Sequence, residues 1–252
     1  MKHILKYTFS LLFVLSSLVS QAQVTKTQDT LKANDTIPPK VQRFGLRVGV
    51  DLFKLTRSFY EKDYRGLELV GDYRLTKKHY IAAEIGNEDK TVDDTRLNFT
   101  TKGTYIKAGF DYNAYENWLG MENMIYVGVR YGVSSFTQTL NSYRLYNPTS
   151  NFPEEAVVKP GTKFSGLSAQ WVEMVAGVKA EIFNNVYIGF SLQLKRIVSN
   201  KQPDNFENLY IPGFNKTYSG NIGVGFNYTV SYFIPLYKTT VKAKKKVKEI
   251  KK

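Results

Sequence analysis

The sequence predicts an all-β fold, an antiparallel up-and-down transmembrane barrel of about eight strands. Three observations predict it. Eight segments alternate apolar and polar residues with period two. After residue 22 no apolar run is long enough for a membrane helix. The connections between the segments alternate between short and long.

The first element is a secretory signal, residues 1–22. Lys2, His3 and Lys6 form a basic start, residues 9–19 (FSLLFVLSSLV) an apolar core, and Ser20-Gln21-Ala22 a small-residue cleavage site. The apolar core is short for a membrane anchor. No Cys follows Ala22, which excludes lipid attachment there. Residues 23–42 are polar and aperiodic, and read as a flexible linker.

The barrel domain is expected over residues 43–235. In 44–52 (FGLRVGVDL), Phe44, Leu46, Val48, Val50 and Leu52 share one face, and Arg47 and Asp51 lie on the other. In 66–75 Leu67, Leu69, Tyr73 and Leu75 oppose Glu68, Asp72 and Arg74. In 80–86 Ile81, Ala83 and Ile85 oppose Glu84. In 103–112 Ile106, Ala108, Phe110 and Tyr112 oppose Lys107 and Asp111. In 124–134 Ile125, Val127, Val129, Tyr131 and Val133 oppose Arg130. In 167–181 Val172, Met174, Ala176, Val178 and Ala180 oppose Glu173, Lys179 and Glu181. In 186–195 Val186, Ile188, Phe190, Leu192 and Leu194 oppose Lys195. In 218–234 an apolar face from Tyr218 to Ile234 opposes Asn221, Asn227 and Ser231.

A half-buried soluble sheet alternates in the same way. Strand lengths near the 9–11 residues of a tilted membrane crossing, and a polar face rich in Gly and charge, favour the membrane barrel. Short links at 76–79 and 183–185 belong on the periplasmic side; the longer 53–65, 87–102, 135–166 and 196–217 belong outside. Tyr112, Tyr131, Tyr218, Tyr228 and Tyr232 fall on the apolar face toward strand ends, where an interfacial girdle would lie.

The chain therefore resembles the small eight-stranded outer-membrane β-barrel proteins of Gram-negative bacteria, particularly the uncharacterised ones of the Bacteroidota. The resemblance rests on the signal ending Ser20-Gln21-Ala22-Gln23 and the alternating strands from Phe44 to Ile234. It is architectural and brings no catalytic motif. It implies an outer-membrane location, with loops extracellular and termini periplasmic. Such barrels often end in an aromatic residue, whereas here residues follow well beyond Tyr232-Phe233.

With the polar faces inward, the lumen is expected to hold Arg47, Arg74, Lys107, Arg130, Lys179 and Lys195 with Asp51, Glu68, Asp72, Glu84, Asp111, Glu173 and Glu181. Near balance of charge in a low-dielectric interior points to mutual pairing. Eight strands enclose just enough room for side chains, so a diffusion channel is not expected.

Catalytic chemistry is thin. The chain has two His and no Cys, so thiol chemistry, disulfides and Cys-ligated metals are excluded. His3 leaves with the signal and His79 sits in a periplasmic turn, a poor place for a catalytic base. The acidic segment Glu88–Asp94 lacks an EF-hand pattern and reads as a solvated loop. No catalytic residue, cofactor or metal site is assigned. Aromatics in Pro-containing outer loops are candidates for recognising an extracellular protein or glycan: Tyr143, Tyr146 and Phe152 in one, and Phe206, Tyr210 and Phe214 in the other. The alternative is that they pack on each other to cap the barrel.

The net charge of +13, from 35 Lys plus Arg against 22 Asp plus Glu, is largely a property of the C-terminus. The tail is placed at 236–252, where residues 238–252 hold eight Lys and one Glu. Such a run is solvated, with anionic lipid or cell-wall polymer as candidate partners and nucleic acid excluded by compartment. The expected role is structural or recognition-based within outer-membrane lipid. The alternatives are a lipid-modifying outer-membrane enzyme and a soluble periplasmic lipocalin-like barrel with its apolar faces inward.

Overall fold

The computed structural model describes residues 40–117, 122–145, 156–158, 160–203, 207–216 and 220–241. The expected signal, most of the linker, the end of the tail, and Tyr146, Phe152, Phe206 and Tyr218 lie outside the described residues.

Eight long antiparallel strands form the wall: β1 (Lys40–Asp51), β2 (Tyr64–Arg74), β3 (His79–Asp93), β4 (Leu97–Asn113), β5 (Met124–Leu145), β7 (Thr162–Phe183), β8 (Val186–Lys201) and β11 (Ile222–Val241). The short β6 (Ala156–Val158) extends the β5 edge. Each long strand pairs with its neighbour in sequence, and β1 pairs with β11, so the sheet closes. Helix α1 (Leu52–Tyr60) follows β1, and a small hairpin of β9 (Tyr210–Ile211) and β10 (Asn215–Lys216) precedes β11.

Period two decides which face is which. On β7 Val172, Met174, Val178 and Ile182 are exposed, while Trp171, Glu173 and Val175 are buried. The same division runs around the wall, with Leu67, Ile85, Ile106, Val129, Leu192 and Val224 among the exposed apolar residues. From Val172 to Ile182 the apolar stripe runs about 33 Å along the strand. At a typical barrel tilt of about 40° that is roughly 25 Å of height, the thickness of a membrane-barrel apolar band. Tyr112 and Tyr232 lie toward the β2–β3 and β7–β8 turn end, whereas Tyr228 lies within β11 against Phe190, not at a strand end.

Turn chemistry follows local sequence. Between β2 and β3 the Thr76 hydroxyl accepts from the Lys78 and His79 amides, and the Leu75 amide donates to the His79 carbonyl. Between β7 and β8 Asn185 takes a left-handed φ of 65°, which Asn tolerates better than most residues.

Several boundaries differ from the sequence reading. β1 begins at Lys40 and β11 runs to Val241, paired end to end, so strand takes in residues 40–42 and 236–241, read above as linker and tail. Most of 87–102 is strand, paired from Asn87↔Thr104 to Asp93↔Asn98, because alternation continues through Gly86-Asn87. β5 likewise continues to Leu145. The segment 53–65 contains α1, started by Asp51, whose carboxylate accepts from the Phe53 amide at 2.8 Å and the Lys54 amide at 3.4 Å.

β1 is short, and this interrupts the wall. It pairs with β2 only over Leu46–Val50 and with β11 no further than Asp51↔Thr229. Beyond that level β2 and β11 have no strand between them among the described residues, and α1 occupies the gap. Ser58 stands in for the missing strand on one side: its hydroxyl accepts from the Gly66 amide at 2.8 Å and donates to the Gly66 carbonyl at 3.1 Å. On the other side Phe53 meets Phe226, with ring centroids 4.5 Å apart.

Candidate functional site: the charged lumen and its plug

Period two drives most charged residues of β2, β3, β4, β5, β7 and β8 to one side, with Arg65, Lys102 and Arg196 among the exceptions, and closure of the sheet brings the inward set together. At the β2–β3 and β7–β8 turn end, Arg43 lies 3.6 Å from Glu122 and 3.5 Å from Glu181, and Arg74 lies 3.2 Å from Glu122. Above them Asp72 is held by Arg47 at 2.8 Å and Lys179 at 2.6 Å. The Arg47 guanidinium lies between the Tyr80 and Tyr187 rings, 5.2 and 5.1 Å from their centroids.

The central cluster is larger. Lys107 sits 2.5 Å from Glu84, 3.2 Å from Glu68 and 4.0 Å from Glu173. Arg130 joins Glu84 at 3.4 Å to Asp111 at 2.8 Å. Lys195 lies 3.6 Å from Glu173. From α1, Lys54 reaches inward to Glu68 at 2.6 Å and Glu88 at 2.9 Å. Neutral donors add to two of these carboxylates. Glu68 accepts from Tyr105 at 2.5 Å and Asn227 at 3.0 Å, and Glu173 accepts from the Trp171 indole at 2.6 Å.

These contacts join eight basic and eight acidic side chains, with no excess of either sign. Glu68, Lys107 and Glu173 have no measurable solvent exposure in their side chains. Ions this deep are tolerated only when paired and hydrogen-bonded.

Of the thirteen residues assigned to the lumen from sequence, twelve take part in these ion pairs. Asp51 differs: it is fully buried and makes none of these ion pairs; its Oδ1 caps α1, while its Oδ2 has no hydrogen-bond partner. Sequence reasoning missed Arg43, Lys54, Glu88 and Glu122. Glu88 continues the Glu84-Gly86-Glu88 alternation and was readable there. Lys54 was not, because its inward reach depends on a helix inserted in the wall.

The half of the lumen away from the β2–β3 and β7–β8 turns is filled by an apolar plug. The β9–β10 hairpin turns inward, placing Ile211 and Phe214 among Tyr105, Phe136, Leu167, Trp171 and Ile197. The Tyr210 hydroxyl donates to Glu88 at 2.7 Å, and Lys195 donates to the Gly213 carbonyl at 2.7 Å. Gly213 has a φ of 81° and lies where a Cβ would come within 2.6 Å of the Tyr105 ring. This corrects the reading of Tyr210 and Phe214 as exposed recognition residues. They are 6% and 0% exposed, because folding inward buries both rings and gives the Tyr210 hydroxyl a carboxylate partner. Tyr143 is half-buried near the end of β5, where it pairs with Leu97 and Val158. His79 is exposed, its Nδ1 2.9 Å from the Thr76 hydroxyl.

A separate cluster anchors α1. Glu61 is bound by both Arg57 and Lys90, and the Arg57 guanidinium stacks on Tyr64 at 4.0 Å. The hydrogen bond from Arg57, with Lys90 beside it, lowers the Glu61 carboxyl to about 2.

The family described as "Domain of unknown function (DUF6048)" matches residues 4–239. The chain belongs to that family. The match takes in seven of the long strands whole and β11 up to residue 239, so the wall, the plug and α1 are parts of one DUF6048 domain. Among solved structures, the crystal structure of Ail, the attachment invasion locus protein of Yersinia pestis, is similar over 80% of this chain and 97% of that chain. The identity is 11% and the TM-score 0.36, so the likeness carries no argument about the site. No curated protein matches the DUF6048 chain.

Proposed function

We propose that this chain is an integral outer-membrane β-barrel with a structural or surface-recognition role. Its filled lumen is an internal brace and not a diffusion pore. One observation carries the reading: the outward face of the wall is apolar, and the buried inward face is ionic. A water-soluble barrel needs the reverse, since dozens of exposed large apolar side chains in one band far exceed an ordinary soluble surface. Bilayer hydrocarbon is the environment that suits the band.

The brace follows from the same geometry. Each lumen carboxylate of the central cluster faces a cation, and the β9–β10 hairpin stands in the path that water would take. These carboxylates are engaged in pairing, which favours a non-enzymatic role. Recognition would fall to the wall ends beyond the apolar band, the β3–β4 and β5–β7 hairpins, with an extracellular protein or glycan as partner.

The test is electrophoretic mobility of the full chain from membrane fractions, boiled and unboiled, with Cys accessibility. A heat-dependent shift is expected, with Val129→Cys and Met174→Cys shielded from a water-soluble maleimide and Lys102→Cys labelled. A soluble, heat-insensitive protein labelled at Val129→Cys would overturn the reading.

A further inference from the structure

The gap left by the short β1 is more than a defect in the wall. Between α1 and the unpaired edge of β11 lies a cavity of about 690 Å3, within the range of small-molecule sites. Its lining crosses the wall. Leu192, Val224 and Phe226 belong to the outward apolar band, whereas Val92 and Phe99 are on the inward faces of β3 and β4. Phe53 of α1 also lines the space, against Phe226 of the outward set. Elsewhere in the closed sheet, residues on opposite faces are separated by paired backbone. Here they share one space, because among the described residues the edge of β11 over Ile222–Tyr228 has no strand on the β1 side.

The chemistry of the lining is graded. The end continuous with the band is aliphatic and aromatic. The far end carries Arg57 and Lys90. Those two cations share one carboxylate, Glu61. Arg57 uses Nε and Nη2 on Glu61, leaving Nη1 with hydrogens to donate. Asp94 also lines this end, but its carboxylate is turned into its own hairpin, where it accepts from the Thr95 amide at 2.7 Å. At the α1 surface Phe59 and Tyr60 are 84% and 70% exposed, aromatic residues of the kind that settle at the membrane–water boundary.

We propose that this slot takes a single acyl chain of an anionic amphiphile, entering sideways from the bilayer. Its carboxylate or phosphate head group is received by Arg57. The inference rests on the membrane-barrel reading, since the band supplies the route of entry. The slot is continuous with that band, and its depth suits a flexible chain better than a folded partner.

The test uses the full chain in nanodiscs of saturated phosphatidylcholine, with cis-parinaric acid as the probe and energy transfer from the protein's Trp residues as the signal. Saturable transfer is expected, competed by palmitate or by lysophosphatidate; which of them competes at lower concentration distinguishes a free acid from a phosphate head. Filling the slot with Val92→Phe or Leu209→Phe should weaken binding tenfold or more. Val129→Phe, elsewhere on the band, should leave it unchanged. Arg57→Gln should abolish the preference for the acid over its methyl ester. No saturable component in a preparation that still shows the heat-dependent mobility shift would overturn the slot while leaving the barrel intact. Binding unaffected by both filling variants would overturn it as well. Absence of the shift would instead defeat the barrel reading.

Discussion

Lys107→Met is the sharpest test of the lumen as a brace. The substitution keeps an unbranched apolar stem, one atom shorter, while deleting the charge. Lys107 faces carboxylates at 2.5, 3.2 and 4.0 Å and is itself fully buried. Each of those carboxylates keeps one other cation: Arg130 for Glu84, Lys54 for Glu68 and Lys195 for Glu173. The loss is therefore that of one broken buried pair, about 3–5 kcal/mol, and not a multiple of it. With an unfolding slope of about 2 kcal/mol per molar urea, the midpoint should fall by roughly 2 M. Urea unfolding in lipid vesicles, followed by Trp fluorescence, reads this directly, because the Trp171 indole donates to Glu173 within the same cluster. Adding Glu84→Gln should recover more than about 1 kcal/mol, a coupling expected of groups in contact. A single variant within about 0.5 kcal/mol of the parent, or a double variant that is simply additive, would refute a desolvated network.

Three further outcomes follow from local geometry. Asp51→Ala should cost about 1 kcal/mol by removing the α1 N-cap, and Asp51→Asn much less, measured as urea midpoints. Gly132→Val should impair assembly, seen as loss of the heat-dependent band, because a Cβ there would stand 2.3 Å from the Trp171 ring. Glu61, lowered to about 2, stabilises the fold while charged. That contribution is complete above the ordinary carboxylate range and is lost as pH falls through about 2. The stability gap between the parent and Glu61→Gln should therefore narrow on acidification between pH 5 and pH 2; a gap that widens would reverse the assignment.

The alternation of Val172 and Met174 with Glu173, repeated strand by strand, was enough to predict an all-β fold and to sort residues between two faces; strand lengths and loop lengths were needed to predict a barrel. Period two assigns a side chain to a face whatever the strand pairs with. Charge balance in the lumen was legible for the same reason. Strand ends were less so: Gly86-Asn87 has the composition of a turn, although the alternation runs on through it, and pairing with β4 keeps it in the strand.

What the sequence alone could not determine depends on which segments meet. Tyr210 and Phe214 have the composition of an exposed loop. They are buried because the lumen of a closed barrel leaves room for one hairpin and offers Glu88 as a partner for the Tyr210 hydroxyl. Lys54 enters the network because β1 stops early, and the gap between β2 and β11 then admits a helix. That shortfall, and the slot beside it, arise from three strands at once and leave no trace in the periodicity of any one of them. Local pattern assigns each residue to a face; closure of the sheet decides which faces meet and where the wall is left open.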